Sequence, residues 1–419
     1  MGIGVPGTGI DIKPQTAIKA AKRAVKTSFF EILFVIFVMI LDFTLNNTSV
    51  QSISIVVQFP SMDKVLVGMS GGIDSSVVAY LLKERGYEVH GVTMTLWNKD
   101  VPFIGDPTKA ACFSPSSVEN VQKAKAICDK IGIEHTVLDI SKLYESVVLK
   151  NFKEEYLNGR TPNPCVWCNP KIKFGAMVDY AREAGIQFDY FATGHYARIE
   201  KKDGRYCLLR GVDPKKDQSY FLYRLSQKQL GGTLFPLGGM EKTETRHIDQ
   251  LLGFHAVDQT ESQDFYGGHY SDLLDVKPVK GKIVDTEGKV LGYHNGIWNY
   301  TIGQRKGLGV SAPRPLYVLY LDPQTNEVVV GYEENTGNTA VTASQLNWVS
   351  VDAFEDGLVA QAKIRSTGNP VECTLTHEGK DKVRATFSSP VKAATCGQSL
   401  VVYDGDYILF GGIIDSVEH

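Results

Sequence analysis

From residue 64 to about residue 196, short apolar runs alternate with longer stretches whose apolar positions recur every three or four residues. VLVGMS at 65–70, EVHGVTMTLW at 88–97, EHTVLDI at 134–140 and FDYFATGHYARIE at 188–200 read as strands. SSVVAYLLKERG at 75–86, VENVQKAKAICDKIG at 118–132 and FGAMVDYAREAG at 174–185 read as helices, each closing on a glycine. Strands separated by helices of this length predict an α/β domain with a doubly wound parallel sheet. Ligands of such sheets sit beyond the carboxyl ends of the strands, which places Met94 and Gly194 at a pocket. The pattern then changes. ARIEKKDGRYCLLRG at 197–211 is a hairpin turning on Asp203-Gly204, and residues 213–230 are polar, then helical. Beyond about residue 264 only short strands remain, broken by Gly, Asp and Pro, at 280–294, 315–332 and 339–418. They predict two small β-rich domains, the last a barrel. The expected boundaries are an extension at 1–61, the α/β domain at 62–264, a central β domain at 265–335 and the barrel at 336–419.

The first strand feeds a dense local signal. Gly68-Met69-Ser70-Gly71-Gly72 lets backbone approach a ligand, and Ile73-Asp74-Ser75-Ser76 opens the helix behind it. Free amides, the positive helix end and hydroxyl groups converge there, which is an anion site. No Gly-Lys-Ser/Thr closes the loop, so it is not a Walker loop. A second signal is GRTPNPCVWCNPKIKF at 159–174, where two prolines stiffen the approach to Cys165 and Cys168. No second CxxC or Cys/His pair with zinc spacing follows, so a redox or sulfur-exchanging pair reads better than half a zinc site.

Composition narrows the field. The chain has 419 residues, 43% hydrophobic and 22% charged, with seven cysteines and a net charge of −3. Those are values of a multidomain globular enzyme without a disulfide framework, pointing to the cytoplasm. No global positive field draws in nucleic acid, so any RNA contact is local. Candidates are Lys277, Lys280 and Lys282, then Arg305 and Lys306. Trp298, Tyr300 and Phe265 read as core more readily than as base-stacking platforms. The N-terminus carries a basic run at 18–26 and a ten-residue apolar run at 32–41, too short to span a bilayer. With Met62 just before the first strand, 1–61 reads as a start-site overcall or an extension, and no stable membrane association is expected.

Ser-Gly-Gly-Ile-Asp-Ser resembles the PP-loop of N-type ATP pyrophosphatases. The resemblance implies that Gly68, Met69, Ser70, Gly71, Gly72, Ile73, Asp74 and Ser75 bind ATP and hold the departing pyrophosphate, with Asp74 near Mg²⁺. Together with Thr-Pro-Asn-Pro-x-x-x-Cys-Asn, Ala-Thr-Gly-His-Tyr-Ala at 192–197, Lys-Asp-Gln-Ser-Tyr-Phe-Leu at 216–222 and Thr-Ile-Gly-Gln-Arg-Lys-Gly-Leu-Gly at 301–309, it makes five motifs in order. Over residues 63–419 they resemble the bacterial tRNA-specific 2-thiouridylase family. That implies adenylation of the C2 oxygen of the wobble uridine 34 in lysine, glutamate or glutamine tRNA. A cysteine-borne sulfur, supplied by a cysteine desulfurase or relay protein, then displaces AMP. Cys168 falls on the family's first catalytic cysteine, and Met94 and Gly194 on its adenine pocket. His195, Lys216, Asp217, Gln218, Arg365, Ser366 and Gln398 fall on its tRNA contacts.

One departure stands out. After Glu261-Ser262-Gln263 the family carries a second, persulfide-bearing cysteine; Tyr266 stands about there. Cys165 stands where many relatives have Asp. Either Cys165 and Cys168 exchange a persulfide, or with Cys112 they ligate an iron–sulfur cluster whose open iron takes hydrosulfide. Cys128, Cys207, Cys373 and Cys396 lie in helical or strand-like runs and read as small buried side chains. Two other readings compete: a PP-loop enzyme adenylating a small molecule, and a non-catalytic RNA-binding relative.

Overall fold

The computed structural model describes residues 63–97, 111–115, 117–257 and 264–419. The runs at 18–26 and 32–41, Met62 and Glu261-Ser262-Gln263 lie outside them. Among the described residues no helix is long and apolar enough to cross a membrane.

Lys64–Gly68 lies at the centre of a five-stranded sheet, in the order Glu134–Asp139, Glu88–Thr95, Lys64–Gly68, Tyr190–Ala192, Thr233–Leu234. Every pairing in it is parallel. Val65, Leu66 and Val67 are fully buried on both faces, which is why the strand reads as an unbroken apolar run. The helices Ile73–Glu84 and Ser117–Ile131 fall where the periodicity predicts them. The run at 188–200 does not stay one strand. Tyr190–Ala192 ends in the parallel sheet, and Ala197–Lys202 begins a hairpin in another. The four residues between them, 193–196, are freed to line the loop site. A helical stretch covers 141–157, and another runs from Pro164 to Glu183 through a π-helical segment, Asn169–Ala176. Pro170 offers no amide to the helical ladder there.

The hairpin turn has φ of 51° at Asp203 and 82° at Gly204, left-handed at both central positions. Its second strand, Arg205–Arg210, pairs with Tyr407–Glu418 rather than with the parallel sheet. Residues 281–331 form a four-stranded sheet, and Gly337–Glu418 a six-stranded barrel closed by pairing of its first and last strands. The predicted fold class therefore holds, with one hairpin of the α/β segment annexed by the barrel's sheet.

Candidate active site

The loop at 68–75 is held open from within. Ser75 Oγ accepts the Ser70 amide at 3.1 Å and donates to the Gly72 carbonyl at 3.1 Å. Ser76 Oγ reaches the same carbonyl at 2.9 Å. Gly72 stands at the N-cap of the helix with extended backbone and no side-chain cap, so the first-turn amides keep their capacity for an outside acceptor. Gly71 has φ of +76°, and a Cβ there would sit 2.5 Å from the Asn120 carbonyl oxygen. Thr93 Oγ1 donates to the Met69 carbonyl at 2.8 Å, tying the loop to the strand end that carries Met94.

Asp74 is gripped by two residues the sequence reading did not place at the loop. Lys242 Nζ bonds its Oδ1 at 2.6 Å, and the Tyr196 hydroxyl donates to the same oxygen at 3.0 Å. The Tyr196 oxygen also lies 3.0 Å from Thr245 Oγ1. Lys242 has a side chain only 7% exposed, so its charge is matched by the carboxylate rather than by water. Lys242, Thr245 and Asp249 share one face of the helix Lys242–Leu252 and are all buried, which gives that helix a polar inner stripe.

Gly194 joins this site to a second one. A Cβ on it would lie 2.8 Å from Asp74 Cβ and 3.0 Å from the Ser75 amide nitrogen, so only glycine lets the strand end pack on the helix start. The next residue, His195, is bonded through Nδ1 to Thr193 Oγ1 at 2.7 Å and has the rings of Phe174 and Phe235 at 5.8 and 5.9 Å. Burial, reinforced by the Lys173 ammonium, holds its pKa well below the ordinary histidine value. Lys173 also bears on Cys168: burial pushes that thiol up to about 12, and Lys173 opposes the rise. One lysine thus lies within electrostatic reach of both the histidine beside the loop and the sulfur.

Cys165 is exposed and Cys168 half-buried, three apart on one helix and so on one face. Trp167 between them carries the Arg224 guanidinium at 4.3 Å from its ring centre. Cys112 and Cys165 both bear on Cys168, and all three sulfurs bear on the buried phenol of Tyr144. Tyr266 is buried beside them, its strand pairing with Ala111–Phe113 and its ring 6.5 Å from that of Phe113. Even so, among the described residues no group of three His, Cys, Asp or Glu side chains is placed to hold a metal ion. The three cysteines therefore do not fit as a ligand set for a cluster.

The remaining expected residues fall in two places. Gln218 exchanges two bonds with Tyr196, amide to carbonyl at 2.9 Å and side-chain oxygen to amide at 3.0 Å, so 216–218 lies against the loop site. Asp217 accepts from the Gly211 and Ser219 amides. Gln398 Nε2 donates to the carbonyls of Thr161 and Pro162 at 3.0 and 3.2 Å, bracing the approach to Cys165 from the barrel. Arg365 donates to the Ile302 carbonyl and to Thr395 Oγ1, at the junction of barrel and central domain, with Ser366 next to it in chain. Among the basic candidates, Lys282 pairs with Glu327 and Lys280 lies over Tyr293. Arg305 and Lys306 line an open groove with Arg314, which shares no residue with the loop site. Phe265 is core, in contact with Phe152 and Tyr270. Cys128, Cys207 and Cys373 are buried as expected, and Cys396 is half-buried. Lys242, Tyr196, Thr245 and Lys173 are the site residues that sequence reading missed.

Three family models match in succession. They are a tRNA methyl transferase HUP domain at 63–266, a tRNA methyl transferase PRC-barrel domain at 272–332 and an aminomethyltransferase beta-barrel domain at 338–414. Among curated proteins, the tRNA-specific 2-thiouridylase MnmA of Endomicrobium trichonymphae is 43% identical over 355 residues, covering 84% of this chain and 98% of the relative. MnmA 1 of Caldanaerobacter subterraneus is 45% identical over 364 residues, with the same coverage. MnmA of Clostridium botulinum strain Alaska E43 is 44% identical over 361 residues, again at 84% and 98%.

Proposed function

The chain belongs to the tRNA-specific 2-thiouridylase family, and from that premise we propose that it uses ATP to turn uridine 34 of tRNA into 2-thiouridine by a relay confined to Cys165 and Cys168. One observation carries this reading: Gly194 packs on Asp74 and Ser75, while His195, next in chain, shares Lys173 with Cys168. A triphosphate on the loop and a sulfur on the Pro164–Cys168 helix then serve the same base.

The residues fit ATP. The uncapped first-turn amides are open to a phosphate acceptor, with Ser75 bracing the loop from within, and Met94 and Gly194 flank the adenine. Asp74, with one oxygen held by Lys242 and Tyr196, would hold Mg²⁺ through the other, together with ATP phosphates, as that ion is usually bound. Mg²⁺ supplies charge neutralisation on those phosphates. The uridine C2 oxygen attacks the α-phosphorus, pyrophosphate leaves into the loop, and C2 now bears AMP as a leaving group. Exposed Cys165, reachable by a cysteine desulfurase or relay protein, carries the persulfide; its outer sulfur attacks C2 and AMP departs with the oxygen. Cys168 then attacks the Cys165 sulfur, freeing the thiocarbonyl and leaving a Cys165–Cys168 disulfide. Two external thiols, leaving as their own disulfide, reduce that bond by two electrons. His195, Lys216, Asp217, Gln218, Arg365, Ser366 and Gln398 border the tRNA path, in the cytoplasm where tRNA is modified.

Purified full-length enzyme is assayed with ATP, persulfide donor and unmodified tRNA transcript, and nucleosides are read by mass spectrometry. AMP release depends on tRNA, D74A stops pyrophosphate release and everything after it, and C165S stops thiolation and AMP release but still releases one pyrophosphate per bound tRNA. Enzyme free of iron and sulfide, assayed with Mg²⁺, retains full activity. Thiolation by C165S at the unaltered rate would overturn the relay. AMP release driven by a metabolite instead of tRNA would move the chain to the small-molecule adenylating class.

A further inference from the structure

On the far side of the phosphate loop, a buried Asp–His pair grips a loop carbonyl. His255 Nδ1 lies 2.7 Å from Asp249 Oδ1, and its Nε2 lies 2.9 Å from the Gly71 carbonyl oxygen. The two side chains are 4% and 2% exposed. Two acceptors face one ring, and hydrogen counting settles the direction. Either the ring donates from both nitrogens, or the Asp249 carboxyl donates to Nδ1 and the ring donates from Nε2. In both cases Nε2–H points at Gly71. We propose that Asp249 and His255 act as positioning residues that set the orientation of the Gly71–Gly72 peptide, and with it the affinity of the loop for ATP and pyrophosphate. The proposal rests on the reading of 68–75 as the pyrophosphate cradle.

The physical link is the rigid peptide plane. In a trans peptide the carbonyl of one residue and the amide of the next point in opposite directions. A carbonyl of Gly71 held by His255 turns the Gly72 N–H to the opposite edge, toward Ser70 Oγ at 3.4 Å, within the loop. Two glycines in sequence have no side chain to resist a flip of that plane. The loop therefore needs a restraint from outside, and His255 supplies it by holding the Gly71 carbonyl oxygen.

The turn that carries His255 is itself fixed. Gly253 closes the helix Lys242–Leu252 in the left-handed conformation, with φ of 58°. Lys130 Nζ donates to the carbonyls of Leu252 and Gly253 at 2.8 and 2.7 Å and lies over the Phe254 ring at 5.4 Å. Phe254 in turn meets Tyr80 of the loop helix edge-on. The same helix thus restrains the loop twice: Lys242 at its start holds Asp74, and Asp249 near its end holds the histidine on Gly71.

The test uses full-length enzyme with tRNA transcript, reading KM for ATP, the inhibition constant of inorganic pyrophosphate and KM for tRNA. H255A and D249A each weaken ATP and pyrophosphate together by about ten- to a hundredfold, the range for one lost hydrogen bond to a charged ligand, and leave KM for tRNA within twofold. D249N recovers most of the loss, because the Asn amide donates to Nδ1 and a neutral ring keeps its hydrogen on Nε2. ATP and pyrophosphate constants within twofold of unaltered enzyme in both H255A and D249A would overturn the proposal, whatever their melting temperatures. So would D249N as damaged as D249A. If unaltered enzyme shows no pyrophosphate inhibition, the cradle falls and the clasp with it; if it does and the variants match it, only the clasp falls.

Discussion

Cys168 is kept as a thiol. Burial pushes it up to about 12 while Lys173 pulls the other way, so at neutral pH almost none of it is thiolate. In the proposed relay, where Cys168 would resolve a persulfide on Cys165, this is protective. A free thiolate at 168 would attack Cys165 at once, forming the disulfide and losing the sulfur as hydrosulfide before a base arrived. The measurable consequence is alkylation chemistry. With iodoacetamide and peptide mass spectrometry, exposed Cys165 is labelled first. Labelling of Cys168 rises roughly tenfold per pH unit between pH 7 and 10, following its thiolate fraction. K173M removes the opposing ammonium, raises the Cys168 pKa further and slows labelling at every pH. Equal rates for the two cysteines at pH 7.5 would refute the protected-thiol account. His195 lies beside the same lysine and its pKa is pushed far down, so it stays neutral across this range.

The elements that build the phosphate site are short and local, and they were legible for that reason. An apolar strand, a glycine-rich turn and a helix with its own serines lie within residues 64–84, so periodicity and turn chemistry alone locate Asp74 and the loop. What grips the loop was not legible. Lys242 meets Asp74 across 168 residues, Tyr196 across 122, and His255 meets Gly71 across 184. Nothing in the composition of KTETRHIDQLL says that its polar positions 242, 245 and 249 face inward, since a polar helix face ordinarily faces water. Tyr190–Ala192 and Ala197–Lys202 read as one strand because Thr193 and Tyr196 flank a single glycine and histidine, whereas the packing of Gly194 against Asp74 breaks the strand there. That packing makes the element testable. G194A forces a methyl to 2.8 Å from Asp74 Cβ, so strand end and helix start must part. Overpacking of this kind costs about 1–3 kcal/mol. Placed at the site it lowers tRNA-dependent AMP release by at least tenfold, whereas A192G, one strand position inside the sheet, mainly lowers the melting temperature. A G194A enzyme with unchanged AMP release would show the contact to be slack.

At the scale of the whole molecule the barrel is part of the α/β core rather than an appendage. Val349, Val401, Tyr403, Ile408 and Ile413 of the C-terminal segment pack in one cluster with Leu208, Tyr220 and Tyr223 of the α/β segment. The Tyr220 hydroxyl donates to the Ser399 carbonyl and Ser399 Oγ donates to the Tyr223 oxygen, all buried. The strand Arg205–Arg210 has its outer partner in Tyr407–Glu418. Across the same interface the Thr161 amide donates to the Cys396 carbonyl, and the Arg160 guanidinium, paired within its own segment with Glu155, donates to the Ile414 carbonyl. A boundary drawn at 335 from the change in pattern therefore cuts through hydrogen bonds and apolar packing at once. Removing residues 336–419 would strip the Tyr220 and Tyr223 hydroxyls of their Ser399 partner and leave a strand edge open to other chains. Each buried polar group stranded in this way costs about 1–3 kcal/mol, and an open edge invites aggregation. The 63–335 fragment is expected to be insoluble or to lack a cooperative unfolding transition, and to release no AMP. The full chain loses its α/β and barrel signals together on denaturation. The measurement is urea unfolding followed by tryptophan fluorescence and far-ultraviolet circular dichroism. A 63–335 fragment that unfolds cooperatively and binds ATP as the full chain does would show that the phosphate site folds without the barrel. Gln398 would then be a contact laid on a finished site instead of a brace that completes it.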